Sequence, residues 1–328
     1  MDYWTTPEAH STLMKHLGLA SDRELYEMLH IDHPHTVAPN YVGPHIPANE
    51  DEYGVEYRVI SYGLGTYREA VTAPLAQYGT VEEIEANYRW PDPDWWDYSN
   101  LSRQLVGWED WPIGGGNMEA FLIYKNLRGQ EQAFMDLALN PEIAKYCLGR
   151  LFDIKYADAE RIMEAIPGKL TFTYFGVDLG AQNGLLMSRR QINRFLMPGI
   201  KRIIDLAHDH AVYAFFHTDG GVRDVLPDLI EAGIDLLNPI QWRCATMERE
   251  ALKADFGDEV VMHGGMDNQY TLAFGSVDEV KEEVAYNLRV LGRDGGYILA
   301  PCHNIQPVTP PENTVAMYET GYELGWNN

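Results

Sequence analysis

The chain has 328 residues, 45% of them hydrophobic, and a formal net charge of −24 at neutral pH. That length suits one large α/β unit or two smaller ones with an ample core, and the acidic surplus argues against nucleic acid or an anionic membrane surface as a partner. No apolar run reaches about 18 residues, the opening MDYWTTPEAHSTLMKHL lacks a basic stretch followed by an apolar one, and Cys147, Cys244 and Cys302 make no disulfide framework; a protein of a reducing cytoplasm, with no secretory signal and no spanning helix, is expected.

Residues 1–110 differ in character from the rest. Six of the eight tryptophans fall within the first 111 residues, and acidic residues outnumber basic ones by 19 to 6 in the first 110. Ser21 caps an expected helix over Glu24–Leu29. Glu56–Tyr62 and Tyr67–Thr72 read as paired strands, and Val81–Tyr88 as a short helix ended by Trp90-Pro91-Asp92-Pro93-Asp94. The region is expected to form an irregular N-terminal cap, packed on a main part at 111–328 within one structural domain, and its aromatic load suits a pocket mouth. Gly114-Gly115-Gly116 is followed by Asn117, Met118 and Glu119, with no Gly-Lys-Ser/Thr or G-x-G-x-x-G context. A turn opening a helix is therefore expected there, not a phosphate loop.

From about residue 129 the pattern becomes regular. Gln130–Leu139 and a helix from Pro141 to about Ile166 precede an apolar strand, Leu170–Val177, that ends at Asp178. A helix over Arg190–His210 leads to the strand Val212–Phe216. Helix Val222–Ala232 leads to strand Ile234–Leu237, helix Met247–Phe256 to strand Glu259–Met262, and helix Val277–Leu291 to strand Tyr297–Ala300. A last helix begins near Pro311. Strands separated by helices at spacings of roughly 25 to 40 residues imply a parallel sheet with crossover helices. No glycine fingerprint marks a dinucleotide fold, so the expected fold is α/β, a (β/α)8 TIM barrel, whose sites collect at the C-terminal ends of the strands.

Chemically capable side chains cluster at those expected ends: Asp178 and Gln182; His217 and Asp219; Asn238 and Gln241; His263 and Asp267; Cys302, His303 and Asn304. His217 and Asp219, two apart on an extended segment, share a side. With Cys302 they make a nitrogen, oxygen and sulfur set that suits zinc with an open fourth position. His263 and His303 are competing ligands. The same residues also suit a plainer reading, since a cysteine at a strand end is often a small buried hydrophobe. Asp178 follows an apolar strand and could be an acid, a base or an orienting group, or a carboxylate that accepts from backbone. Tyr174 and Phe175 are expected to pack, Arg223 to be a solvated helix residue, and Cys147 and Cys244 to be inert.

Five stretches carry a family resemblance: LRGQEQAFMDLALNPEIA (127–144), FGVDLGAQNGLLMS (175–188), FFHTDGGVRDVLPDLIEAGIDLLNPIQ (215–241), VVMHGGMDNQ (260–269) and GGYILAPCHNIQPVTPPENTVAMYE (295–319). Through them the chain resembles the uroporphyrinogen decarboxylase superfamily, whose fold is a (β/α)8 barrel. The Arg-rich N-terminal signature of true uroporphyrinogen decarboxylases is missing, and the corresponding region is acidic. The chain is more similar to the cobamide-dependent methyltransferase branch, such as methylcobalamin:coenzyme M methyltransferases. That branch holds zinc with His-x-Cys and a distant Cys. Here the first motif is His217-Thr218-Asp219, while Cys302 matches the distant ligand.

The resemblance implies zinc on His217, Asp219 and Cys302. It also implies a corrinoid (cobalamin) methyl carrier on a separate corrinoid protein, and a small methyl donor or acceptor. Asp178, Gln182 and Asn238 would orient substrate or corrinoid, with Gln241, His263, Asp267 and His303 around them. Asp219 makes the site harder than its thiolate counterpart, which favours an oxygen-bound methyl group. A decarboxylase acting through Asp178 without metal, and a barrel that only binds a corrinoid or another small molecule, are the rival expectations. A homodimer stays open.

Overall fold

The computed structural model describes residues 1–116 and 119–325; Asn117 and Met118, between the expected glycine turn and the helix it opens, lie outside the described residues. Seven parallel strands form one sheet: β1 (His35–Thr36), β2 (Ile113–Gly115), β3 (Phe172–Gly176), β4 (Tyr213–His217), β5 (Leu236–Ile240), β6 (Val261–Met266) and β7 (Tyr297–Pro301). They follow one another in that order, each hydrogen-bonded to the next. Their residues are mostly buried, as expected for parallel strands covered by crossover helices. The crossovers are the helices expected from about residue 129 onward, among them Pro141–Ala165, Met197–Asp209 and Val277–Val290. Capping boxes at Ser188 and Ser276 start two of them. The arrangement is TIM-like. No described helix is long and apolar enough to cross a membrane.

The N-terminal residues are part of this frame. Asp2 N donates to Leu299 O on β7 at 3.1 Å, and Asp32 N, shortly before β1, donates to Met1 O at 2.8 Å. Thr5 forms a parallel bridge with Ile305. Residues 1–6 thus link the two edges of the sheet. The expected hairpin is present as Tyr57–Ser61 paired with Thr66–Ala70, and Ser21 caps Asp22–Met28 with a full capping box. Helix Pro7–Leu17 was not anticipated.

Several elements depart from the sequence expectation. Gly114 and Gly115 are strand residues, not a turn: a Cβ on Gly114 would lie 2.8 Å from the Phe172 ring, and one on Gly115 2.9 Å from Leu170. The expected single helix over Arg190–His210 is two, Arg189–Phe195 and Met197–Asp209, divided ahead of Pro198. β5 and β6 run further than their apolar runs indicated, so Asn238 and His263 stand inside strands and not at their ends.

A buried ion pair ties the parts together. Arg128 Nε donates to Asp136 at 2.7 Å, and its guanidinium also reaches the carbonyls of Leu75 and Tyr78. Tyr124, Gln132 and Asn140 fill the remaining valences of Asp136. The network fixes helix Ala120–Arg128, which begins just after Glu119. Arg128→Ala would leave an unpaired buried carboxylate and lower stability by about 3–5 kcal/mol, measured by denaturant unfolding.

Candidate metal centre

The site lies where β3 and β4 end. Beyond the strands the two chains stay paired: Val177 N donates to His217 O at 3.0 Å, and Gly180 N to Asp219 O at 3.0 Å. Leu179 N is held by Thr218 Oγ1 at 3.1 Å. The approach requires glycine twice. A Cβ on Gly180 would stand 2.7 Å from Asp219 O, and Gly220, at φ +91°, faces the Gly180 backbone too closely for any side chain.

This pairing brings three side chains together. Ligand atoms of Asp178, His217 and Asp219 lie within 4.8 Å of one another, and among the described residues they form the group of His, Cys, Asp or Glu side chains that could hold a metal ion. His217 Nε2 is 3.6 Å from Asp178 Oδ1. Zinc bonds of about 2.1 Å give a tetrahedral edge of about 3.4 Å, so this separation already fits a shared ion. Cys302, expected as the third ligand, is not in the group. Its Sγ donates to Ile240 O at 3.0 Å, and the third member of the group is Asp178.

Neighbours orient each donor. His217 Nδ1 is 2.6 Å from Asn238 Oδ1, which leaves Nε2 facing the carboxylates. Asn238 Nδ2 continues to His263 Nδ1 at 2.7 Å, and His263 Nε2 to Asp2 Oδ2 at 2.9 Å. Gln241 Nε2 donates to Asp219 Oδ1 at 2.7 Å and to Cys302 O at 3.2 Å, while Gly220 N donates to Gln241 Oε1 at 2.6 Å. His303 Nε2, half exposed, stands 3.9 Å from Asp219 Oδ2. Trp4 packs against both His217 and His303, with ring centroids 5.7 and 4.9 Å away. Tyr174 lies 5.8 Å from His217, so it borders the site and does not only fill the core, whereas Phe175 packs on Phe216.

The other expected site residues lie around this group with partners of their own. Both ring nitrogens of His263 are taken by protein partners. Asp267 pairs with Arg243 at 2.6 Å and accepts from the backbone of Gln269, Tyr270 and Thr271. Gln182 and Gln241 line the open mouth with His303. Arg223 is paired with Asp255 and is not simply solvated. Cys147 and Cys244 are buried.

Electrostatics set this place apart. Burial pushes the Asp219 carboxyl up, as does Asp178, against the pull of His217 and His303. Glu119, unnoticed in the sequence, is pushed up by burial and then by Asp178. Burial also drives the Cys302 thiol well above its usual range. No lysine or arginine among the described residues is hydrogen-bonded to Asp178, Asp219 or Glu119 to balance them.

Two cavities flank the group. The inner one, about 370 Å³, is walled by Trp4, Phe172, Tyr174 and Phe215 with Asp2, Glu119, Asn238 and His263. The outer one, about 660 Å³, opens at Asp219, Gln241 and His303. Neither is lined by lysine or arginine among the described residues.

The sheet is TIM-like, with polar side chains gathered at the ends of adjacent strands, and similarity to known proteins gives the family. The uroporphyrinogen decarboxylase (URO-D) family pattern matches residues 112–324, and the chain belongs to that family. It is 27% identical over 140 residues to the uroporphyrinogen decarboxylase of Anaeromyxobacter sp. (strain Fw109-5), covering 43% of this chain and 38% of that protein. It is 24% identical over 214 residues to that of Psychromonas ingrahamii, covering 65% and 54%. The aligned part thus spans between about a third and a half of the curated relatives' length. Among solved structures, a methyltransferase from Methanosarcina mazei superposes with a TM-score of 0.67 at 18% identity, covering 98% of this chain and 92% of that one, which shows a shared fold.

The raised carboxyls have a consequence for stability. The folded chain holds these protons more tightly than the unfolded chain. The stability they contribute is therefore complete below the ordinary carboxylate range and is lost as pH rises through the raised values. Asp219→Asn removes that loss, so with a chelator present its melting temperature at neutral pH should exceed the unsubstituted protein's. The difference should shrink as the buffer is made acidic.

Proposed function

We propose that this protein is a zinc-dependent methyltransferase that moves a methyl group from a small O-methyl substrate to the cobalt of a corrinoid carried by a separate protein. The observation that carries the reading is the convergence of Asp178, His217 and Asp219 with His217 Nε2 turned toward the carboxylates. Family membership and the fold shared with a protein described as a methyltransferase support it. His217, Asp178 and Asp219 would hold the zinc, which supplies a Lewis acid for the substrate oxygen. One nitrogen and two carboxylate oxygens form a harder donor set than one containing Cys302, and so match an oxygen-bound methyl group.

The chain's own groups have separate tasks. Asn238 and Gln241 fix His217 and Asp219. The aromatic wall of the inner cavity holds the substrate's apolar part and excludes water. As the methyl group leaves, the ether oxygen keeps the bonding electron pair and needs a proton to depart as an alcohol or phenol. Glu119, its carboxyl pushed up by burial, lines that cavity and supplies the proton. The outer mouth admits the methyl acceptor, and the N-terminal segment serves as the eighth stave of the barrel.

The relatives' name suggests the rival reading, a decarboxylase that uses Asp178 without metal. The two cavities beside the carboxylate group, lined by no arginine or lysine among the described residues, argue against a polycarboxylate substrate. Two measurements separate the readings. Purified protein should carry about one zinc per chain, lost in His217→Ala, and should convert cob(I)alamin to methylcobalamin with aryl or alkyl methyl ethers. Metal-free protein that decarboxylates a porphyrinogen would reverse the assignment. Glu119→Gln should lower kcat about 10²–10⁴-fold with zinc content unchanged; equal kcat would remove Glu119 from the role.

A further inference from the structure

A single file of hydrogen bonds runs from the site back through the sheet to residue 2. His217 Nδ1 meets Asn238 Oδ1 at 2.6 Å, Asn238 Nδ2 meets His263 Nδ1 at 2.7 Å, and His263 Nε2 meets Asp2 Oδ2 at 2.9 Å. The other oxygen of Asp2 accepts from Tyr3 N at 2.7 Å and faces His33 Nδ1 at 3.2 Å. His217, Asn238 and His263 are each 4% exposed or less, so the file is largely shielded from bulk water. Donor and acceptor roles along such a file are not independent.

We infer that Asp2 is a positioning residue that sets the tautomer of His217 across three hydrogen bonds. A carboxylate only accepts, so His263 must carry its proton on Nε2. Its Nδ1 is then an acceptor, which turns the Asn238 amide so that NH₂ faces His263 and the carbonyl oxygen faces His217. His217 must therefore donate from Nδ1, which leaves the Nε2 lone pair free toward Asp178 and Asp219. Each link has one polarity, and the hydrogen-bonded member whose polarity is fixed is Asp2; at the other end the Asp178 carboxylate stands 3.6 Å from His217 Nε2, beyond hydrogen-bond distance. The ionised state of Asp2 is itself secured: burial opposes it, but the hydrogen bonds from His263 and His33 outweigh that and hold its carboxyl well below the usual range.

Replacing Asp2 with asparagine keeps size and shape while removing the fixed polarity. An amide can offer either an oxygen or an NH₂ to His263, so both directions of the file become possible. In the reversed direction His217 carries its proton on Nε2, where the ligand lone pair was. That the lone pair serves a metal rests on the function proposed above; the tautomer does not.

The test reads the tautomer directly. Protein labelled with ¹⁵N in histidine, kept metal-free and mildly alkaline, is recorded by long-range ¹H–¹⁵N correlation. His217 should be the Nδ1–H form and His263 the Nε2–H form. Asp2→Asn should give a mixture of forms, or the reversed pair, at both positions while circular dichroism shows an unchanged fold. Its zinc dissociation constant should rise about 10- to 100-fold, as for other losses behind a ligating histidine. Finding His217 as Nε2–H in the unsubstituted protein would overturn the inference, even if Asp2→Asn failed to fold. So would an Asp2→Asn spectrum identical to the parent's. A correct tautomer response without zinc binding would leave the role of Asp2 standing and count against the metal.

Discussion

Two half-buried carboxylates and one buried imidazole, held within 4.8 Å of one another, are the constraint around which the site is built. Burial disfavours the charged form of Asp219, and Glu119 adds a third acid to the same neighbourhood. No described lysine or arginine is hydrogen-bonded to them. The strand-end pairing of β3 with β4 and the glycines at 180 and 220 explain how the cluster is kept tight.

The fold serves that cluster from both directions. Above it, Gln241 links Asp219 to the Cys302 carbonyl, so the ends of β4, β5 and β7 are coupled through one amide. Below it, the hydrogen-bonded file through Asn238 and His263 crosses β5 and β6 to reach Asp2. Trp4 closes the side by packing on His217 and His303. Residues from the first and last parts of the chain thus meet at the same few ångströms, which makes folding of the whole sheet a condition for the site.

Much of this was legible in the sequence, for identifiable reasons. From residue 129 onward, apolar runs alternate with amphipathic ones, and this pattern placed the helices and the inner strands. Asp178, His217 and Asp219 followed from reading polar residues where apolar runs stop. β2 was hidden because its Gly114 and Gly115 resemble a turn, while packing of Phe172 and Leu170 is what leaves no room there for a side chain. His263 and Asn238 were read as strand ends because glycine and proline after them interrupt the apolar run, yet pairing with the neighbouring strands carries β5 and β6 onward. Asp2, Trp4 and Glu119 had no local signal at all. Asp2 meets His263 across 261 residues, and only the folded arrangement of the sheet reveals the contact. Cys302 is expected as a ligand from its place at a strand end and from the family resemblance; its thiol donates to the Ile240 carbonyl, outside the group formed by Asp178, His217 and Asp219.

Diffraction from crystals grown with zinc, recorded on both sides of the zinc absorption edge, tests the central claim most directly. The account predicts an anomalous peak bonded to His217 Nε2 and to oxygens of Asp178 and Asp219, with the Cys302 thiol still facing the Ile240 carbonyl. A peak elsewhere with His217 Nε2 bare, or no peak between these three side chains, would contradict it.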